Sequence, residues 1–350
     1  MSIEVKKIGF WQAIKQDVTW MRQLRFAFGV TFASGLAYGI NWPLAFLLPI
    51  FSCMLLALPL PKPSLQVSLN NMFNTLKAFA LGLLFSLFFL QYPIAYILML
   101  GLALFHIYYY LNRGGSFWLT LMSLIAILIL PMIANSNEGL AIGFSAGFVY
   151  SSWLTIAIIW LMHFIFPDPQ FTAFPTPPGF QKKYSKVAAQ FALKSALVTF
   201  PIAALCISFV LTDYLLVMVF AAMFILKPEL SAGIDAGKNS MISTLLGGAY
   251  AWIFYWLMVA VPEYHFYLIL LLMTTLFFAR NIFSTKSTAK YYSSALIAML
   301  VVFNSSVSAG ADFNAILFNR IFLISGAIAY IVVMLKVLEH FGIANTEAKN

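Results

Sequence analysis

One short segment of the sequence has the residue types of a phosphate-binding loop. Gly233-Ile-Asp-Ala-Gly237-Lys238 brings two glycines and a lysine together, a combination that can cradle nucleotide phosphates. The spacing does not fit, because three residues separate the glycines where such a loop needs four, and Asn239 replaces the required Ser or Thr. No strand is predicted before the segment. We therefore expect no nucleotide binding and interpret the segment as a connection that leads into a helix, with Asn239 as the helix N-cap.

Basic side chains inside apolar segments are the stronger candidates for chemistry, because a charge within a bilayer is costly and marks function by default. Arg25 and Lys194 lie at the start of the first and seventh apolar segments. They are either anchors that snorkel to lipid phosphate or a symmetric cationic funnel for an anion. Arg320 lies about 10 Å into the last segment. It either forms an ion pair with Asp213 or Asp312, or binds the anion.

Five further residues are weaker candidates for a transport pathway. Lys77, near the start of the third apolar segment, is more typical of a snorkelling lysine. His106 is either a hydrogen-bonded packing residue or a titrating site. Thr75 and Thr244 either bond between helices or hydrogen-bond a carboxylate substrate. Any proton coupling is expected to pass through Asp213 or His106, because no Asp or Glu lies in the middle of a segment.

The composition defines the environment in which these residues must act. Hydrophobic residues make up 62% of the chain and charged residues only 9%, far below the roughly one quarter of a soluble domain. The chain is therefore expected to be an all-α integral membrane protein. Cys53 and Cys206 lie in apolar segments and are interpreted as inert buried thiols. The four histidines are scattered, so we expect no metal, no other cofactor and no enzyme active site.

The apolar segments predict about twelve transmembrane helices. An amphipathic cytoplasmic helix (1–22) precedes six spans (23–166), and a Pro-rich cytoplasmic linker (167–187) leads to six more (188–338) and a C-terminal tail (339–350). The predicted spans lie near residues 24–41, 43–60, 73–90, 93–111, 116–134, 139–166, 188–211, 214–226, 240–261, 264–280, 290–308 and 313–337.

The distribution of charge predicts the orientation of the spans. With the N-terminus inside, 19 of the 20 basic residues fall on the cytoplasmic side, and Arg320 is the exception. Both termini are then cytoplasmic, and a bacterial inner membrane is the expected location. Because topology explains the net charge of +9, we expect no nucleic acid partner.

The two sets of six spans are similar to each other. At a constant shift of 169 residues, Arg25 aligns with Lys194, Asn70 with Asn239, and the pair Thr75-Leu76 with Thr244-Leu245. Asn70, like Asn239, is expected to cap its helix, and Gly247 and Gly248 are expected to allow close helix packing. The pattern predicts a tandem duplication of a six-helix unit, with both copies parallel because six is an even number.

The order of these motifs resembles the fusaric acid resistance protein-like (FUSC) superfamily, which includes bacterial aromatic acid exporters. The resemblance rests on the opening hairpin LRFAFGVTFASGLAYGINWPLAFLLPIFSCMLLALP, on NSMISTLLGGAYAWIF, and on Arg320 and Gly326 in FNRIFLISGAIAYIV. The chain departs from larger relatives, which carry a cytoplasmic domain between the halves. It also lacks the arginine that usually precedes the second motif, and Asn239 or Ser240 stands near its place.

The resemblance implies efflux of organic anions, with aromatic carboxylates the expected substrates. The expected driving force is the membrane potential or the proton motive force, because a potential that is negative inside drives an anion outward and no Asp or Glu in the middle of a segment offers a proton relay. It also implies a periplasmic membrane-fusion adaptor as a partner, beside the lipid bilayer itself. Two alternatives remain: a component of a tripartite export system that is inactive without its adaptor, and a non-transporting membrane scaffold.

Overall fold

The computed structural model describes residues 18–42, 44–167, 180–181, 183–226, 230–309 and 313–340. These residues form twelve α-helices and, before α8, a 3₁₀ turn at Thr212–Tyr214. The helices are α1 (Val18–Gly39), α2 (Leu47–Leu56), α3 (Leu65–Phe89), α4 (Pro93–Asn112), α5 (Phe117–Ser136), α6 (Glu138–Ile165), α7 (Lys186–Ser208), α8 (Leu215–Phe224), α9 (Leu230–Ala260), α10 (Tyr264–Ile282), α11 (Ala289–Ala309) and α12 (Phe313–His340).

The all-α membrane class is confirmed for the described part of the chain. Eight of its helices are long and apolar enough to cross a membrane. The second and eighth predicted spans form helices of only ten residues, α2 and α8. At about 1.5 Å per residue each is about 15 Å long, half the thickness of a hydrocarbon core. The structure thus places a helix at each predicted span, and the count of twelve crossings stays a prediction.

Two helix starts were predicted wrongly. Asn70 and Asn239 were expected as N-caps, but α3 begins at Leu65 and α9 at Leu230, so both asparagines lie inside helices. The would-be phosphate loop is helical as well. Its two glycines face α12: a Cβ at Gly237 would lie 2.5 Å from Ile328 Cγ1. Glycines four residues apart let two helices approach closely, and this packing extends α9 beyond the boundary that the sequence indicated.

The helices divide into two compact units, and each unit takes helices from both halves of the chain. Unit 1 comprises the described parts of Met1–Leu65, Ser151–Pro175 and Leu246–Ser308. In it α1 packs against α2 and α10. Ala33, Leu48 and Met162 belong to one buried cluster, which joins α1 and α2 to the C-terminal part of α6.

Unit 2 comprises the described parts of Gln66–Tyr150, Thr176–Leu245 and Ala309–Asn350. Here α7 packs against α4 and α8, and α12 packs against α8. Leu100 of α4, Met218 of α8 and Ala327 of α12 are fully buried in its core. The pair α1–α10 in unit 1 and the pair α7–α4 in unit 2 occupy corresponding positions of the two predicted repeats.

The predicted linker and terminal segments lie mostly outside the described residues. This holds for the predicted amphipathic helix up to residue 17, for most of the linker and for the tail after His340. The described end of the linker lies on α4, where Arg113 Nε donates to the carbonyl of Gln181 at 2.7 Å. The guanidinium of Arg113 also lies 4.8 Å from the ring centroid of Phe180.

The packing role predicted for Gly247 is confirmed. Gly247 lies where α9 meets α11, and both Gly247 and Gly248 are buried. A Cβ at Gly247 would collide with the backbone oxygen of Ala295 and lie 3.0 Å from Ala298 Cβ. In lipid there is little hydrophobic drive between helices, so this close backbone approach is a main source of packing energy.

We expect Gly247→Ala to destabilise the protein by about 1–3 kcal/mol, because the added methyl meets backbone that cannot rotate away. Thermal unfolding in detergent should show a lower midpoint temperature. Gly143→Ala is the matched control, because a Cβ at Gly143 in α6 would meet nothing within 4 Å. Equal midpoints for the two variants would contradict this account of the packing.

Candidate functional site

Arg320 places a positive charge inside α12, against the core of unit 2. Its guanidinium carbon lies 5.8 Å from the ring centroid of Phe220, which comes from α8. Its Nε is buried and has no hydrogen-bond partner among the described residues. The structure shows no ion pair between Arg320 and Asp213, which is exposed in the turn before α8. Asp312, the other expected partner, lies outside the described residues.

Arg25 is buried in unit 1, with only 3% of its surface exposed. Its Nη1 donates to the carbonyl oxygen of Phe166 at 3.3 Å, just after the end of α6. Phe166 also stacks on Phe28, one turn along α1, at a centroid distance of 5.5 Å. This placement does not fit a side chain that snorkels to lipid phosphate, because the guanidinium lies inside the packed helices. Its role in binding an anion stays a prediction.

Lys194 occupies the corresponding position in unit 2 and is similarly buried, at 6% exposure. Its Nζ lies 5.9 Å from the ring centroid of Phe191, one turn earlier in α7. The neighbouring Ser195 is also buried and donates to the carbonyl of Ile225 at 2.9 Å, which ties α7 to the end of α8. The sequence thus predicted two equivalent cations, and the structure buries both.

Thr75 and Thr244 are both buried in unit 2. Thr75 Oγ1 accepts a hydrogen bond from Trp118 Nε1 at 2.9 Å and donates to the carbonyl of Asn71 at 3.0 Å. The contact with Trp118 is the interhelical bonding that was one of the two predicted uses of this threonine. The two contacts leave its hydroxyl engaged with α5 and with its own helix.

Lys77 and His106 are exposed, the first on α3 and the second on α4. His106 Nδ1 is 2.8 Å from the carbonyl of Leu102, one turn earlier in its own helix. The imidazole lines an apolar cavity of about 760 Å³ between α3, α4 and α5. The structure does not bring Lys77 to that cavity.

Sequence reasoning missed a set of polar pairs in unit 1. Ser34 Oγ and Tyr267 Oη are 3.0 Å apart, and both residues are buried. Tyr38 Oη donates to Asn304 Oδ1 at 2.8 Å, which joins α1 to α11. One turn before Tyr38 in α1, the carbonyl of Gly35 accepts a hydrogen bond from Tyr264. The only sequence signal was Asn304 itself, an amide within an apolar span, where polar groups are rare.

These pairs border a cavity of about 410 Å³ at one end of unit 1. Aromatic rings form much of its wall, and Glu263, the residue before α10, lies at its edge. In the described part of the chain no group of three or more His, Cys, Asp or Glu residues could hold a metal ion. Cys53 and Cys206 are both free and buried, as predicted.

The comparisons with known proteins locate one similarity. Residues 22–162 match a family described as a protein of unknown function, DUF2955. These bounds lie close to those of the first predicted repeat, 23–166. No curated protein and no solved structure matches the chain. Together with its helices, this similarity defines a multi-pass helical membrane protein that resembles the DUF2955 family over its first half.

Tyr96 and Tyr267, each the fourth residue of its helix and each buried, give a paired test of the polar contacts. Tyr267 has Ser34 as its partner, whereas the hydroxyl of Tyr96 is buried without a hydrogen-bond partner among the described residues. We expect Tyr267→Phe to destabilise the protein by about 1 kcal/mol or more, because the Ser34 hydroxyl loses its partner. Tyr96→Phe should be neutral or stabilising, because it removes a buried polar atom that costs free energy.

Thermal unfolding of both variants in the same detergent is the measurement. The wild-type chain and a Ser34→Ala/Tyr267→Phe double variant complete the series. The double variant should recover part of the loss, because no unpaired hydroxyl remains. A Tyr96→Phe variant less stable than Tyr267→Phe would contradict the assignment of the two hydroxyls.

Proposed function

We propose that the chain is an inner-membrane transporter that exports organic anions, with aromatic carboxylates as its substrates. The observation that carries the proposal is Arg320, a guanidinium held inside a membrane helix with no ion pair to any described residue. An unneutralised cation costs a few kcal/mol in a bilayer, so a charged group at such a position indicates a functional role. A transported carboxylate would supply the missing negative charge.

The ring beside Arg320 supports an aromatic substrate. Phe220 lies under the guanidinium and also stacks on Phe224, at a centroid distance of 5.5 Å. Guanidinium groups pair with carboxylates through two parallel hydrogen bonds, while neighbouring aromatic rings accept an aromatic body by offset stacking. The combination favours a molecule with both features over a small inorganic anion.

The membrane potential is a sufficient driving force for such export. A potential that is negative inside drives a monovalent anion outward by about 2.3 kcal/mol per 100 mV. Proton coupling is the alternative, through Asp213 or His106. Both side chains are exposed on the surface of the described helices.

Two parallel six-helix repeats are part of the proposal. The corresponding helix pairs α1–α10 and α7–α4 support it, as does the match that ends near the first repeat boundary. Twelve crossings also require the short helices α2 and α8 to cross together with their flanking residues. Both termini are then cytoplasmic, and membership of the fusaric acid resistance superfamily, in a compact branch, follows from the same reasoning.

The resemblance to the fusaric acid resistance superfamily implies a periplasmic membrane-fusion adaptor as the partner of this transporter. A chain that is inactive without that adaptor, or one that only serves as a scaffold, is the competing function. Adding the adaptor distinguishes these two alternatives, because it restores flux to an adaptor-dependent transporter and not to a scaffold.

We expect Arg320→Gln to lower the initial rate of voltage-driven uptake of labelled benzoate by more than about tenfold. The measurement uses proteoliposomes under a potassium diffusion potential. The physical reason is the loss of the one group that neutralises the carboxylate inside α12. Arg320→Lys should retain part of the flux, because the charge remains while the bidentate geometry is lost.

Arg280→Gln is the matched control, because Arg280 is exposed in the last turn of α10. Its flux should equal that of the wild type. Equal flux in Arg320→Gln and wild type would rule out Arg320 as the anion group. Flux that follows a pH gradient at zero potential would replace the voltage mechanism with proton coupling. No flux with or without the adaptor would favour the scaffold.

A further inference from the structure

The cavity of unit 1 is lined by groups that attract cations, whereas Arg320 attracts anions. Tyr264, Tyr267 and Phe303 form a row of rings along its wall: the first two have centroids 6.5 Å apart, and the second pair is 6.0 Å apart at an interplanar angle of 14°. Tyr38 stands nearly perpendicular to Tyr267, at 82°. The cavity therefore presents aromatic rings from α1, α10 and α11.

The hydroxyl groups of these tyrosines are already engaged by the protein. Tyr38 donates to Asn304, Tyr264 donates to the backbone of α1, and Tyr267 is bonded to Ser34. Tyr267 and Phe303 are themselves buried, so what remains for a ligand is mainly the ring surface of Tyr264 and Tyr38. The face of an aromatic ring is the negative pole of its quadrupole, so it attracts cations and repels anions.

A carboxylate strengthens the same preference. Glu263 lines the cavity, is exposed, and occupies the N-cap position of α10 without accepting a cap hydrogen bond. No Lys, Arg or His is among the described residues that line the cavity. No basic side chain among these lining residues therefore stands beside the carboxylate at the edge of the cavity. Aromatic rings with one carboxylate are the arrangement that recognises ammonium groups.

We infer that this cavity is a binding site for an organic ammonium group. Its volume of about 410 Å³ lies in the range of small-molecule sites and is large enough for a quaternary or primary ammonium with its substituents. The exposed Tyr264 and Val307 at its rim leave it accessible from the surroundings of the helices. The ammonium belongs either to a free amine or to the headgroup of a lipid.

The inference does not rest on the proposed export of anions. The site lies in unit 1, and its residues differ from those that would bind a carboxylate in unit 2. Loss of ammonium binding and loss of benzoate flux are separate results, obtained with separate variants.

The first arm of the test uses a free amine. Isothermal titration of the purified full chain in detergent with choline should show saturable binding. The uncharged isostere 3,3-dimethylbutanol has the same shape and should bind at least about tenfold more weakly, because it lacks the charge that the rings and Glu263 attract. Glu263→Gln should weaken choline binding by a similar factor.

The matched control is Glu138→Gln. Glu138 is also an exposed acid at the start of a helix, and it lines a smaller cavity of about 240 Å³ that has no aromatic lining. Choline binding should be unchanged in this variant. Tyr264→Leu provides a second test of the rings at a half-exposed position, and its thermal midpoint shows whether the fold is intact.

The second arm tests the lipid source. Native mass spectrometry of the chain from bilayers that contain phosphatidylethanolamine and phosphatidylglycerol should show retained phosphatidylethanolamine, which is lost in Glu263→Gln and kept in Glu138→Gln. Lipid retention without choline binding assigns the site to a headgroup, and choline binding without lipid retention assigns it to a free amine. Equal binding of choline and its isostere, with no Glu263-dependent lipid, overturns the inference.

Discussion

Close contact between helix backbones is the constraint on which the rest of this structure depends. A bilayer offers little hydrophobic drive for helices to associate, so packing must come from surfaces that fit. Gly247 lets α9 contact the backbone of α11. Gly82 lets α3 approach Ala126 on α5 so closely that no methyl group would fit between them. Gly237 does the same for α9 and α12. Polar and charged side chains keep fixed positions because these contacts fix the helices that carry them.

Each unit combines such contacts with charged side chains. Unit 2 holds Arg320 beside Phe220, while unit 1 buries Arg25 and carries a cavity with aromatic rings and the carboxylate of Glu263. Buried groups of this kind are expensive unless they are satisfied. Several buried polar side chains of unit 1 are satisfied within the protein, as the Ser34–Tyr267 and Tyr38–Asn304 pairs illustrate. Arg320 stands out because no described residue balances its charge.

Much of the helical layout could be predicted from sequence, because long apolar runs have one stable form in lipid. Each predicted span contains a helix, and Gly247 packs as expected. The start of α9 could not be predicted, since contacts with Ile328 on a distant helix decide it. The asparagines at 70 and 239 suggested caps because local preference favours them there, and tertiary packing overrode that preference.

The candidate sites were predictable only in part, for the same reason. A cation in an apolar run is visible in a sequence, so Arg25, Lys194 and Arg320 were found. The cavity beside Glu263 was not, because its rings come from several helices whose meeting depends on the fold. Tyrosines in apolar runs are common at membrane interfaces, and nothing local distinguishes Tyr38 or Tyr267 from such residues.

The composition of unit 1 from distant segments has a consequence for biosynthesis. Thr31 on α1 contacts Thr275 on α10, 244 residues later in the chain. At roughly 5–20 residues per second, a ribosome would make α10 roughly 12–50 s after α1. During that interval α1 must stay in the membrane or the insertion machinery with its hydroxyls turned back onto its own carbonyls. The order in which the helices are made is therefore not the order in which they pack, and unit 1 can assemble only after α10 and α11 have been made.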